Sequence, residues 1–141
     1  MAISKTHLAA LVKELCALPA ETEWVEFKRD NIKPTDIGEN ISAIANSSAL
    51  AGRQCGYIIW GIADDTHQVV GTKFVPATTK KGNEELNGWL RRLIAPDVDF
   101  SFNETTVDGK AVVVLEVPRA RHHPARFQSE EYIRLGSYTK K

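Results

Sequence analysis

The sequence predicts an α/β (α+β) domain in which a mixed β-sheet carries helices mainly on one face. Three observations predict it. Residues 23–28 alternate in polarity at the period of a strand, and Gly56-Tyr-Ile-Ile-Trp-Gly61 is a continuous apolar run bounded by glycines. Three stretches with apolar residues at helical spacing are interleaved with these and later strand patterns. With 141 residues and 43% hydrophobic content, the chain suits one domain with a real core. We expect one domain over 1–141, and the abrupt end after the last strand pattern suggests the N-terminal part of a longer protein.

Ser4 is placed to cap a first helix with Leu8, Leu11, Val12 and Leu15 on one stripe, ending at Leu18-Pro19. In the strand over 23–28, Val25 and Phe27 point one way and Trp24, Glu26 and Lys28 the other. Thr35-Asp36 opens a second helix carrying Ile37, Ile41, Ile44 and Ala45, which stops near Leu50-Ala-Gly52. Tyr57–Trp60 reads as a central strand buried on both faces. Asp64-Asp65-Thr-His follows as a turn, and Gln68–Gly71 returns as a hairpin partner.

A third helix spans Glu84 to Leu93, with Leu86, Trp89, Leu90 and Leu93 inward, and Ala95-Pro96-Asp97 breaks it. Residues 98–106 and 110–117 form a second hairpin about Asp108-Gly109, the strongest turn signal in the chain. A basic loop runs from Arg119 to Glu130, and Glu131–Gly136 is a last short strand. The predicted order is α-β-α-β-β-α-β-β-β.

Net charge is zero, which excludes a uniformly basic polyanion binder, but the charge is unevenly spread. Residues 1–70 hold six Lys/Arg against nine Asp/Glu, and residues 71–141 hold twelve against nine. In the last quarter, Arg119, Arg121, Arg126, Arg134, Lys140 and Lys141 face only Glu130 and Glu131. That end, together with Lys28 and Arg29, supplies candidate phosphate contacts, and Phe127 or Tyr132 could stack a base. The alternative is a solvated loop with Phe127 folded onto the core.

Glu26 and Lys28 lie on one strand face about 6.5–7 Å apart, a spacing at which a carboxylate and an ammonium can share one phosphate through a divalent ion. Glu21 or Glu23 would add a second carboxylate, and Asp64 or Asp65 a third at the end of a strand. The plain alternatives are a solvated strand face and ordinary Asp turn chemistry. Asn46 reads as a helix C-terminal cap or a ligand contact. No Walker-type Gly-Lys motif occurs, and His7, His67, His122 and His123 lack zinc spacing. Cys16 and Cys55 stand apart in apolar surroundings, so reduced thiols and a cytoplasmic setting are expected. No apolar run or leader-like N-terminus suggests a membrane.

The segments ETEWVEFKRD, ISAIAN, GYIIWGIADDTHQVVG and EYIRLGS fall in the order seen in the Schlafen/Alba-type domain, also called the divergent AAA family domain. The chain resembles that family over about residues 19–138. The resemblance implies an Alba/Schlafen-like fold and a DNA-binding module of the kind found in bacterial transcriptional regulators, with DNA or RNA as partner and a homodimer as assembly. It also implies an alternative. In Schlafen proteins that cleave RNA, three carboxylates hold a divalent metal, and these match Glu21, Glu26 and one of Asp64 or Asp65, with Lys28 as the accompanying lysine. Mg²⁺ or Mn²⁺ would then be the cofactor. A dimerisation or protein-interaction role is the third reading. The chain departs from the family between Asn46 and Gly56, where the passage is longer and Cys55 replaces a glycine.

Overall fold

The computed structural model describes residues 5–18, 22–135 and 138–141. Ser4, Pro19, Glu21 and Gly136, each given a role above, lie outside the described residues. In chain order the elements are α1 (Lys5–Cys16), β1 (Val25–Lys28), α2 (Pro34–Leu50), β2 (Cys55–Trp60), a 3₁₀ turn (Pro76–Thr78), β3 (Lys80–Lys81), β4 (Glu84–Glu85) and α3 (Leu86–Leu93). They continue with β5 (Ile94–Ala95), β6 (Ser101–Val107), β7 (Lys110–Pro118), β8 (Arg126–Phe127), β9 (Glu130–Glu131), β10 (Ile133–Leu135) and β11 (Tyr138–Lys140).

The main sheet has the order β1-β2-β7-β6. β1 runs parallel to β2, with Glu26 beside Ile58 and Lys28 beside Trp60. β7 is antiparallel to both β2 and β6. The sheet is therefore mixed. A parallel neighbour requires a crossover connection, and α2 supplies it. Small two- and three-stranded ladders, β3-β4, β10-β11 and β5-β8-β9, decorate this frame.

The period-2 pattern of β1 decides which face each side chain joins. Val25 and Phe27 pack with Leu8, Val12 and Leu15 of α1 on one face. On the other face Ile58, Trp60, Val113, Leu115 and Val117 meet Ile37, Ile41 and Ile44 of α2 and Trp89 and Leu90 of α3. Two of the three helices thus share one face and α1 alone covers the other. β2 has apolar groups on both sides because it lies between these two clusters.

Two glycines set how closely α2 approaches its neighbours. A Cβ at Gly56 would stand 2.6 Å from the Trp24 carbonyl oxygen and 2.8 Å from Ser48 Oγ. A Cβ at Gly38 would fall onto the Phe127 ring. Gly56 therefore serves helix-strand packing, which accounts for a glycine at the end of the long passage from Asn46. The Asp108-Gly109 turn forms as expected, with both residues at positive φ (52° and 75°).

Several expectations need correction. Gln68–Gly71 does return antiparallel to residues 61–63, but the pairing is short: one bridge, Ile62 to Val69, with the Ala63 amide donating to the Gln68 carbonyl and the Val70 amide to the Gly61 carbonyl, so no full strand forms. Glu84 and Glu85 precede α3 as the extended partner of Lys80 and Lys81. Residues 98–100 stay outside β6, and the loop after Arg119 contains β8 and β9. Both cysteines are free and half-buried; Cys55 Sγ donates to the Tyr57 hydroxyl at 3.1 Å. Burial first, then that contact, hold the Tyr57 phenol above its ordinary range. Among the described residues no helix is long and apolar enough to cross a membrane.

Candidate nucleic-acid interface

The sheet separates the residues that the sequence grouped together. Lys28 and Arg29 end β1, and Asp64 and Asp65 follow the same end of β2. Arg119 and Arg121 lie at the opposite end, because Pro118 of β7 pairs with Cys55 at the start of β2. Glu26 sits mid-strand on the α2 face. The turn carrying Asp64 and Asp65 folds toward the α1 face, where His67 packs on the Phe27 ring with centroids 4.5 Å apart and meets the Leu18 carbonyl at 3.1 Å. Asp65 behaves as turn chemistry predicts, its Oδ1 accepting the Thr66 amide at 2.9 Å.

Glu26 has a different partner. Its Oε1 accepts from Arg134 Nη1 at 2.9 Å, with the arginine side chain 0% and the glutamate 14% exposed. Arg134 Nη2 also donates to the carbonyls of Val25 (3.1 Å) and Thr22 (3.3 Å). The guanidinium thus closes the free edge of β1. Alternation along β10 points Arg134 inward and leaves Leu135 outward. Arg134, grouped by sequence with the surface cations, is placed where no phosphate can reach it.

These positions bear on a divalent-metal site. Among the described residues no three His, Cys, Asp or Glu groups lie together in a way that could hold an ion. The carboxylate of Glu26 is paired with Arg134, and Asp64 and Asp65 lie exposed in the turn beyond β2. Glu21 lies outside the described residues, and Glu23 is exposed. The described carboxylates of Glu26, Asp64 and Asp65 are thus not gathered into one cluster.

Asn46 is not a helix cap, and it is almost fully buried. It lies inside α2, whose C-cap is Ala51. Its Nδ2 donates to the carbonyls of Ala125 (3.0 Å) and Tyr132 (2.9 Å), and its Oδ1 accepts the Ala125 amide at 2.7 Å. Ser42 Oγ donates to the Ala125 carbonyl and accepts the Tyr132 amide, and Ser47 Oγ accepts the Arg134 amide. Together these clamp the segment after Pro124 against α2. Sequence reasoning missed the clamp. Its signal was the run of small polar residues, Ser42, Asn46, Ser47 and Ser48, within an otherwise apolar helix.

Before the clamp at Ala125, residues 118–123 form a ridge held at its start by the Arg119 and Ala120 amides donating to the Gln54 and Ala45 carbonyls, with Arg119 and residues 121–123 exposed. Arg121 and His122 line three adjoining hollows. The first, about 470 Å³, lies toward Gln54 and Ala49 and also takes in Arg119. The second, about 280 Å³, has an apolar floor that includes Leu50, which is 80% exposed, and Ile133. The third, about 370 Å³, opens toward Pro96–Asp99. Arg126 is exposed but paired with Glu131 at 3.1 Å, and Lys141 with Glu130 at 3.2 Å. Phe127 is fully buried against Trp89, so the loop follows the solvated reading at that residue. Tyr132 is half-buried, and burial first, then the charge of Glu39, raise its phenol pKa.

The family description "Schlafen, AlbA_2" matches residues 21–141. The chain belongs to this Schlafen/AlbA_2 family. No curated protein sequence matches it. Among solved structures, this Schlafen/AlbA_2 chain is similar to the N-terminal domain of an ATP-dependent DNA helicase RecG-related protein from Nitrosomonas europaea. That match has 22% identity and a TM-score of 0.54, and covers 86% of this chain and 80% of that one. It is also similar to the DIP2311 protein from Corynebacterium diphtheriae, with 20% identity and a TM-score of 0.50 over 96% of this chain. It spans 26% of the Corynebacterium chain. At these identities the likeness is one of fold.

Proposed function

We propose that this Schlafen/AlbA_2 domain binds nucleic acid, DNA in the first instance, through the ridge at residues 118–123. The observation that carries the reading is the convergence of three hollows on Arg121 and His122, with Arg119 in two of them. Concave sites rimmed by exposed guanidinium groups suit phosphate oxygens, which Arg engages through paired N–H donors. The family resemblance supports the same reading and extends it to a module of a transcriptional regulator. Arg119 and Arg121 are few contacts for one domain, so a homodimer presenting the ridge twice belongs to the proposal; avidity then adds what one copy lacks.

The test is fluorescence anisotropy with labelled DNA and RNA 20-mers at two salt concentrations. Binding is expected to weaken with salt. Arg119→Ala combined with Arg121→Ala should lower affinity about tenfold or more and reduce the salt slope by about 0.9 for each phosphate no longer neutralised. A flat titration at low salt with both nucleic acids would sink the reading.

The described residues give the nuclease alternative no comparable support, since Glu26 faces Arg134 and not another carboxylate. Its test belongs at Asp64 and Asp65, which are exposed and replaceable without touching the core. Glu26→Ala would confound lost catalysis with lost folding.

A further inference from the structure

The third hollow is lined by side chains of opposite charge. Arg119, Arg121, His122 and His123 line it from the ridge, and Asp97 and Asp99 from the loop after α3. Asp99 is 96% exposed and only distantly paired with Arg91, at 3.8 Å. Pro96, Val98, Pro118 and Ala125 add apolar surface to the lining. The volume, about 370 Å³, lies within the roughly 300–1,000 Å³ of small-ligand sites.

A face that only gathers phosphates has no use for two carboxylates, which repel them. A nucleotide is itself bipolar, with an anionic phosphate at one end and, in some bases, hydrogen-bond donors at the other. A carboxylate accepts through both oxygens and is best matched by two neighbouring donors. Guanine alone presents two adjacent donors on its pairing edge, the ring N1–H and the 2-amino group. Thymine and uracil flank their single donor with two carbonyls, which a carboxylate repels. Exposed imidazoles at His122 and His123 can stack on a base face.

We propose that this hollow takes one unpaired guanine nucleotide, its pairing edge donating to Asp97 or Asp99 and its phosphate held by Arg119 or Arg121. The proposal rests on the nucleic-acid reading above and adds a base preference to it.

The experiment compares three labelled 11-mers by anisotropy: all-dT, dT with one central dG, and dT with central deoxyinosine, which lacks the 2-amino group. The dG probe should bind at least about fivefold tighter than all-dT, with the inosine probe between them. Asp97→Ala combined with Asp99→Ala should bring the dG probe down to the all-dT level. Circular dichroism checks the fold of that variant, and both positions are exposed. Equal binding of all three probes by the wild type overturns the base preference and leaves the nucleic-acid reading standing. If the variant tightens every probe by the same factor, the carboxylates merely repel phosphate and the proposal fails. No binding of any probe, or of the 20-mers at low salt, removes the underlying reading and the preference with it.

Discussion

Arg134 and Arg121 are the same residue type in the same basic quarter of the chain, and the fold treats them oppositely. Arg121 stands on a ridge between three hollows. Arg134 is enclosed, with Glu26 and two backbone carbonyls as acceptors. The difference lies in what surrounds each position. The outer edge of β1 offers carbonyls to which no strand donates, and a buried edge must find donors. A guanidinium with five N–H groups meets that need in one side chain. On the ridge the Arg119 and Ala120 amides already donate to the Gln54 and Ala45 carbonyls, and the exposed guanidinium groups stand open to a ligand. Local sequence cannot separate the two cases, because the partner of Arg134 lies 108 residues away.

The largest expected effect breaks the buried member of the comparison. Glu26→Ala leaves the Arg134 charge enclosed without its counter-ion, and Arg134→Ala strips the β1 edge of its donors. Each should cost about 3–5 kcal/mol by urea denaturation. Replacing both together by apolar residues of similar size, Glu26→Leu with Arg134→Met, should cost far less than the sum, because no charge is then stranded. Arg134 Nε has no partner among the described residues, so the pair is not an ideally satisfied one. Additive losses in the double variant would show that the two residues act independently. By contrast, Arg121→Ala should leave stability within about 0.5 kcal/mol while weakening nucleic-acid binding.

The second effect concerns the clamp that follows the ridge. Asn46→Ala leaves the Ala125 amide without its partner and takes a donor from the Ala125 and Tyr132 carbonyls. A loss of about 1–3 kcal/mol is expected. Nucleic-acid affinity should fall as well, since the ridge loses its anchor at Ala125. A stability loss with unchanged affinity would separate the clamp from the interface.

Much of the frame was legible because it rests on periodicity. The alternation of Val25, Glu26, Phe27 and Lys28, the apolar run at Tyr57–Trp60 and the Asp108-Gly109 turn each carry their signal within a few residues. What was not legible depended on distant pairing. Gln68–Gly71 was legible as a returning antiparallel partner, but the stop of its pairing at the single bridge from Ile62 to Val69 was not. Glu26 and Asp64-Asp65 look like one acidic set until Arg134 is seen to pair with Glu26, while both aspartates stand in the exposed turn beyond β2. The role of Asn46 was hidden because its partners are main-chain groups of Ala125 and Tyr132, which carry no side-chain signal. Asp97 and Asp99 read only as residues after a helix break, and the cations that share their hollow come from a loop some twenty residues later.

The smallest expected effect is at a surface pair that resembles the buried one in chemistry alone. Arg92 donates to Glu84 through Nε at 3.2 Å and Nη2 at 2.9 Å, a forked contact like many in protein interiors. That hydrogen bond first, and the arginine charge after it, lower the Glu84 pKa. A lowered carboxyl pKa contributes stability that is present above the unfolded value and is lost as pH falls through the folded value. Exposure changes the size of the effect but not its sign, because solvent screens the pair and its ordering costs side-chain entropy. Glu84→Gln should therefore shift the thermal midpoint at neutral pH by little more than the scatter of replicate melts, and the shift should disappear in high salt. A neutral-pH loss as large as that of Glu26→Ala would mean that side-chain chemistry outweighs burial in this protein, and the contrast between Arg134 and Arg121 would then need another cause.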